Sequence, residues 1–126
     1  MYVPLSGNWA DEYITEGYVL YDQLLRIWAL RCYNHFAKQE SIAIKIVSIT
    51  NQIEINFTPE SSGEKYHERA YHQFEFQEYM PCSFSPAGYK TQFDAFANAL
   101  ALMLNIGSDA FQEQIVNYAE KLANQQ

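Results

Sequence analysis

Residues 14–37 read ITEGYVLYDQLLRIWALRCYNHFA. Apolar residues recur in this stretch at steps of three and four, which is the spacing of one face of an α-helix. A second apolar line runs beside the first, so the face is wide. We expect one long helix, Ile14–Ala37, that crosses the domain and carries core residues rather than a ligand-binding stripe. The first line is Ile14, Tyr18, Tyr21, Leu25, Trp28, Cys32 and Phe36, and the second is Leu20, Leu24 and Ile27.

Gly17 interrupts this pattern. Glycine inside a helix costs about 1 kcal/mol relative to alanine. It indicates a close approach of another segment, a kink, or a helix that begins near this residue.

Composition describes one globular domain over residues 1–126, because 126 residues with 48% hydrophobic content can bury a core without staples. The formal net charge of −7 repels phosphate backbones, so we expect no direct nucleic-acid binding. Such a charge fits a basic protein partner, or it serves solubility alone. Residues 1–9 lack the positive charge and apolar run of a signal peptide, and no apolar run has the length of a membrane span. We expect a cytoplasmic protein with no membrane contact.

The two cysteines lie far apart in the sequence. Cys32 falls on the apolar line of the long helix and is expected to be buried. Cys82 lies in a proline-flanked segment and is the better candidate for exposure. Two cysteines do not imply a disulfide.

After the long helix, the spacing of the apolar residues changes from a helical period to a period of two. Isoleucines alternate with other residues over 42–47 and again over 53–57, with the polar residues 50–52 between them. Two β-rich runs around a polar turn predict a hairpin. A third strand is predicted within 66–79, where His72, Phe74 and Phe76 alternate with polar residues.

The C-terminal part predicts two helices. Met80–Lys90 contains two prolines and a glycine and is a connection. Thr91 and Asp94 resemble a capping box for a helix over Phe93–Met103 that is apolar nearly all round. Gly107 and Ser108 predict a helix end and a new start, giving a helical hairpin.

These elements predict an α+β fold in the order α-β-β-β-α-α. A three-stranded antiparallel sheet is expected to pack against the long N-terminal helix and the C-terminal helical hairpin.

No pattern of catalytic or metal-binding residues emerges. His67 and His72 are five residues apart, which places them roughly 140° apart on a helix and on opposite faces of a strand. Neither arrangement lets both bind one metal. The glycines form no phosphate-cradling loop. We therefore expect no cofactor, no metal and a non-enzymatic role.

Tyrosine is the unusual residue type, with ten copies in the chain. Tyrosine is enriched where proteins bind partners, because it offers a large contact area with a polar tip. Alternatively, these rings cover the edge of the core and form local hydrogen bonds. The predicted partner-binding residues are Tyr66, Tyr71, Tyr79, Phe84 and Tyr89.

The leading hypothesis is a non-enzymatic protein-interaction module of the inhibitor, immunity, adaptor or small acidic chaperone type. The alternative is a small-molecule-binding protein or small enzyme with a pocket between sheet and helices, in which His72 supplies a polar group. A third possibility is a homodimer through the Phe93–Met103 helix, whose apolar circumference exceeds what one face needs.

Overall fold

The computed structural model describes residues 1–2, 16–59 and 61–125. These described residues form an α+β fold with five helices and one three-stranded antiparallel sheet of order β1-β2-β3, which confirms the predicted fold class. The elements are β1 Tyr18–Val19, α1 Leu20–Ala37, α2 Glu40–Phe57, α3 Glu68–Gln73, β2 Ser83–Ser85, β3 Gly88–Lys90, α4 Ala95–Met103 and α5 Asp109–Asn124.

Helix α1 begins at Leu20, later than predicted, while Ile14 and Thr15 lie outside the described residues. Gly17 has a φ of +84°, and a Cβ on this residue would collide with the backbone carbonyl of Phe84. The glycine therefore permits strand β1 to approach strand β2 closely, which is one of the three alternatives that its position indicated.

The predicted hairpin over 42–57 is wrong, because Glu40–Phe57 is the continuous helix α2. The same residues also satisfy a helical period, and packing against α1 selects it over the β propensity of isoleucine. Ile53 and Phe57 enter the core, with Ile46 and Ile49 partly buried against it.

The predicted third strand over 66–79 is also wrong. Residues 68–73 form the short helix α3 and residues 74–79 form no strand. The sheet is built instead from β1 and from the segment assigned to a connection. There Phe84 pairs with Tyr89 in the hairpin of β2 and β3, and Tyr18 pairs with Phe84 from the other side.

The C-terminal helical hairpin is confirmed. Asp94 caps α4 by accepting a hydrogen bond from the Ala97 N–H at 2.9 Å, so the cap lies at Asp94 rather than at Thr91. Gly107 has a φ of +91°, and Ser108 caps α5 by accepting from the Phe111 N–H. Glycine at a left-handed position followed by a capping serine separates two helices sharply.

Only one half of helix α1 and one half of helix α2 contribute buried residues to the core. Leu20, Leu24 and Ile27 are buried on α1, and all lie in its first half. The buried residues of α2 lie in its second half, at Ile53, Asn56 and Phe57. Helices α4 and α5 and the sheet close around these two halves. The remaining half of each helix therefore projects from the body as one α-helical hairpin.

Candidate protein-interaction surface

The five residues predicted to bind a partner lie mostly in the body of the fold. Phe84 is 1% exposed, Tyr71 8% and Tyr79 9%, and Tyr89 is half-buried. Tyr66 is 48% exposed. In this conformation, the predicted set offers a partner little free surface apart from Tyr66.

Within the predicted set, the hydroxyls of the three tyrosines that are buried or half-buried all have partners within the chain. Tyr71 donates to the Thr58 carbonyl at 2.8 Å, Tyr79 to the Thr91 carbonyl at 2.6 Å and Tyr89 to the Asn56 carbonyl at 2.6 Å. Burial raises the pKa of Tyr79 and strongly raises that of Tyr89. These contacts match the alternative in which the rings cover the core and bond locally.

The aromatic rings form a stack through the sheet. Phe84 stacks on Tyr18 with centroids 4.9 Å apart and on Tyr89 at 4.8 Å, and Tyr89 stacks in turn on Phe74 at 4.8 Å. Tyr89 and Phe84 are partners across the sheet, so the stack joins adjacent strands to the segment after α3. Phe84 and Tyr89, which the sequence indicated as partner-binding residues, therefore stabilise the pairing of short strands.

His72, the polar group of the predicted small-molecule pocket, lies on the surface of α3. Its side chain is 68% exposed and its ring nitrogen lies 2.9 Å from the Glu68 carboxylate. The Lys65 N–H donates to the same carboxylate and, with His72, lowers the pKa of Glu68. His72 is thus exposed and does not belong to the core. Within 16–59 and 61–125, His, Cys, Asp and Glu side chains form no group of three placed to hold a metal.

The described residues line a small cavity and an open groove near the helices. One cavity of about 110 Å³ between α1, α2 and the sheet is smaller than the roughly 300 Å³ at which ligand pockets begin. An open groove of about 800 Å³ lies between α2 and the start of α5. Glu54 is its one ionisable lining residue among those described, and it accepts a hydrogen bond from the Gly107 N–H at 3.0 Å. The described lining therefore offers no acid–base pair for catalysis.

The projecting half of α1 carries an exposed apolar line, which we call the α1 stripe: Trp28, Cys32 and Phe36. Trp28 is 46% exposed and Phe36 84%, and Cys32 is also exposed. The first apolar line of the sequence was predicted to be core, and this part of that prediction is wrong. The core contains residues of the second line instead, namely Leu20, Leu24 and Ile27. Arg31 of α1 donates to the carbonyl of Leu104, the residue that follows α4, at 2.8 Å.

The tip of the hairpin is tightly closed. Lys38 adopts a left-handed φ of 50° and its N–H donates to the Asn34 carbonyl at 3.0 Å. The Gln39 N–H donates to the Asn34 side chain at 2.8 Å. A turn closed by both backbone and side-chain bonds ends α1 in a defined geometry. The α1 stripe is therefore presented by a helix with a closed end.

The projecting hairpin carries few acidic residues. Residues 28–52 contain three of the eight lysine and arginine residues and one of the fifteen acidic residues. These residues are Arg31, Lys38 and Lys45, against Glu40 alone, while Asp22 and Glu54 lie on the halves of α1 and α2 that enter the body.

The two cysteines exchange the places predicted for them, since Cys32 is exposed and Cys82 is 7% exposed. Burial raises the pKa of the Cys82 thiol, and the thiolate is the reactive form. We expect one thiol per native chain to react with Ellman's reagent at about pH 8. The second should react only after unfolding.

The Cys32→Ser variant serves as the control, because it should remove the fast-reacting thiol and leave the slow one. Rapid modification of Cys82 in the native Cys32→Ser chain would contradict the burial of Cys82.

Comparison with protein-family models, curated proteins and solved structures returned no match for this chain. None of the helices in residues 16–59 and 61–125 combines the length and apolar character that crossing a bilayer requires.

Proposed function

We infer that this chain is a non-enzymatic protein-interaction module and that its binding element is the projecting α1–α2 hairpin. The observation that carries the proposal is the α1 stripe. A tryptophan and a phenylalanine 46% and 84% exposed on one helix face do not arise from core packing. Exposed apolar faces of this kind mark interaction surfaces in folded proteins.

The residue types support the same function. Tryptophan and other aromatic residues supply most of the binding energy at protein interfaces. A line of apolar residues at helical spacing is also the feature by which helices pack on partner helices or grooves. We therefore assign partner binding to the hairpin and not to the tyrosine-rich segment that the sequence indicated. Tyr66 is the exposed residue of the five predicted there. Inhibitor, immunity, adaptor and chaperone roles all remain compatible with such an element.

The test places a photo-crosslinking amino acid at Phe36 in cells that naturally produce the chain. We expect a discrete adduct with one other protein, because a partner seated on the stripe lies within reach of this position. The same amino acid at the exposed position Asn117 of α5 is the matched control and should give no such adduct. Equal labelling at both positions, or none at Phe36, would refute the proposal.

A second candidate is the homodimer through the Phe93–Met103 helix. Phe96 is 64% exposed and Met103 75%, so α4 presents apolar side chains outside the core. Phe93 itself packs against Tyr79 and Tyr118, with centroids 5.0 Å apart in each case. Crosslinks between copies from position 96, together with a concentration-dependent dimer, would favour this candidate over the hairpin.

A further inference from the structure

We propose that the cavity between α1, α2 and the sheet binds a small apolar monocarboxylate, and that Arg26 holds its carboxylate group. The site lies in the body of the fold, so it goes beyond the proposed function and does not depend on the α1 stripe. The inference follows from the position of the Arg26 side chain, from the residues that line the cavity with it and from the volume that they enclose.

The Arg26 guanidinium lies close to two other residues of the cavity lining. Arg26 is half-buried on α1, and it lines the cavity together with Met1 and Tyr66. Burial and, after it, the positive charge of Arg26 lower the pKa of the Met1 amino group. Burial and Tyr18 raise the pKa of Tyr66, and the charge of Arg26 opposes that rise. The guanidinium is therefore near enough to act on both groups.

The charge of Arg26 has no carboxylate partner among the described residues. Their ion pairs join His72 to Glu68 and Lys90 to Glu16. The described lining of the cavity contains no aspartate or glutamate. A partly desolvated cation is stabilised by a nearby anion, and a carboxylate matches the planar fork of arginine with two parallel hydrogen bonds. A carboxylate is thus the group that complements this side chain.

The rest of the lining favours an apolar body on the ligand. Phe57 and Phe84 are buried in the core and also line the cavity. Inorganic phosphate would place oxygens against these rings without hydrogen-bond donors, which is unfavourable. The ring of Tyr18 lies 5.0 Å from that of Tyr66 and 4.9 Å from that of Phe84, measured between centroids. An aromatic acid can add its ring to such a cluster while its carboxylate meets Arg26.

The volume limits the ligand to about the size of benzoate. The cavity measures about 110 Å³. One water molecule needs roughly 10–15 Å³ of the same kind of space, so there is room for roughly seven to eleven non-hydrogen atoms. Benzoate falls within this range. Drug-sized ligands need the roughly 300 Å³ that this cavity does not provide.

Hydrogen bonds hold part of the lining in place without a ligand. The buried Asn56 side chain accepts from the Tyr66 N–H at 2.9 Å and donates to the Gln52 carbonyl at 2.8 Å. These bonds fasten the segment that carries Tyr66 to α2. A preformed site avoids the cost of ordering its residues when the ligand binds.

The test titrates the isotope-labelled protein with benzoate and with benzamide and follows the NMR signals of the backbone amides and of the Arg26 Nε–H. Benzamide has nearly the shape of benzoate and lacks its charge. We expect benzoate to bind with a Kd of about 1 mM or lower. It should bind at least about tenfold more tightly than benzamide, because only benzoate forms the charge-assisted pair with Arg26. Inorganic phosphate should bind more weakly than benzoate.

Variants locate the binding site. Arg26→Gln should weaken benzoate binding by about tenfold or more and leave benzamide binding unchanged. Lys45→Gln is the matched control, because it removes one positive charge from an exposed position of α2 outside the lining. Ser48→Trp places a large ring at an exposed lining position and should block benzoate while Arg26 stays intact. The amide spectrum of each variant shows whether the fold is preserved.

The proposal is overturned by equal binding of benzoate and benzamide, by tighter binding of phosphate, or by no benzoate binding up to about 10 mM. Equal losses in Arg26→Gln and Lys45→Gln, or undiminished binding in Ser48→Trp, would overturn it as well. Trp28→Ala combined with Phe36→Ala should leave benzoate binding unchanged, since neither residue lines the cavity. A tenfold loss in that double variant would contradict the assigned site.

Discussion

Replacing Phe84 by alanine should lower the free energy of unfolding by about 3–5 kcal/mol, the range observed for large aromatic residues truncated in cores. Phe84 is 1% exposed and lies at the centre of the aromatic stack. Its ring contacts Tyr18, Phe57 and Tyr89 with centroids 4.9, 5.1 and 4.8 Å away. The strands are only two or three residues long, so they depend on these contacts more than on their few backbone bonds.

Urea unfolding followed by circular dichroism measures this loss. Phe36→Ala is the control, because it removes the same side chain from a position that is 84% exposed. It should change stability by less than about 1 kcal/mol. A loss below that value in Phe84→Ala would mean that the ring does not support the sheet. A binding defect in any variant that lacks Phe84 cannot be assigned to a lost contact surface before its folding is established.

Asn98→Ala should cost about 2–4 kcal/mol, because it leaves two buried backbone groups without partners. Asn98 is 1% exposed on α4. Its side chain accepts from the Met80 N–H at 2.9 Å and donates to the Met80 carbonyl at 3.2 Å. It also donates to the Asp94 carbonyl at 3.0 Å. One amide thus fastens the segment that precedes β2 to α4, where the fully buried Met80 enters the core.

Differential scanning calorimetry of Asn98→Ala and of Asn117→Ala separates this network from the general effect of losing an asparagine. Asn117 is exposed on α5, and alanine there should be neutral or slightly stabilising because of its higher helix propensity. Equal melting temperatures for the two variants would show that the bonds to Met80 contribute nothing to stability.

The sequence predicted those helices whose boundaries are marked by local chemistry. Ser108 and Gly107 are recognisable without knowledge of the fold, because a capping hydroxyl and a left-handed glycine act within a few residues. Helix α2 lacked such a mark. Its isoleucines satisfy a period of two and a helical period at the same time, and only their contact with α1 decides between the two.

The sheet could not be predicted from periodicity, because its strands are too short to establish a period. A turn signal was nevertheless present. Pro86 and Ala87 lie between strands β2 and β3, and Gly88 has a φ of +140°. Phe84 and Tyr89 flank this turn and pair across it. We interpreted the prolines and the glycine of this segment as signs of a connection. Large aromatic residues on both sides of a proline–glycine turn are also compatible with a tight hairpin, which is what the structure contains.

The candidate surface could not be predicted either, because the sequence leaves open which apolar line of α1 enters the core. Helix α1 has two apolar lines, and the sequence does not say how many neighbours the fold supplies. The line with Leu20, Leu24 and Ile27 meets the core, while the longer line ends in the exposed residues Trp28, Cys32 and Phe36. The scarcity of acidic residues over 28–52, where Glu40 stands alone in a chain with fifteen, was a readable signal.

The pairing of β1 with β2 has a consequence for the order in which the chain assembles. Strand β1 precedes three helices, and its partner follows them in the sequence. Contacts between α1 and α2 need only a short loop closure, whereas the sheet must wait for a much larger one. During synthesis, the first strand therefore leaves the ribosome long before its partner. In this interval its backbone edge and the α1 stripe are exposed together, which makes the nascent chain most prone to premature association before residue 83 appears.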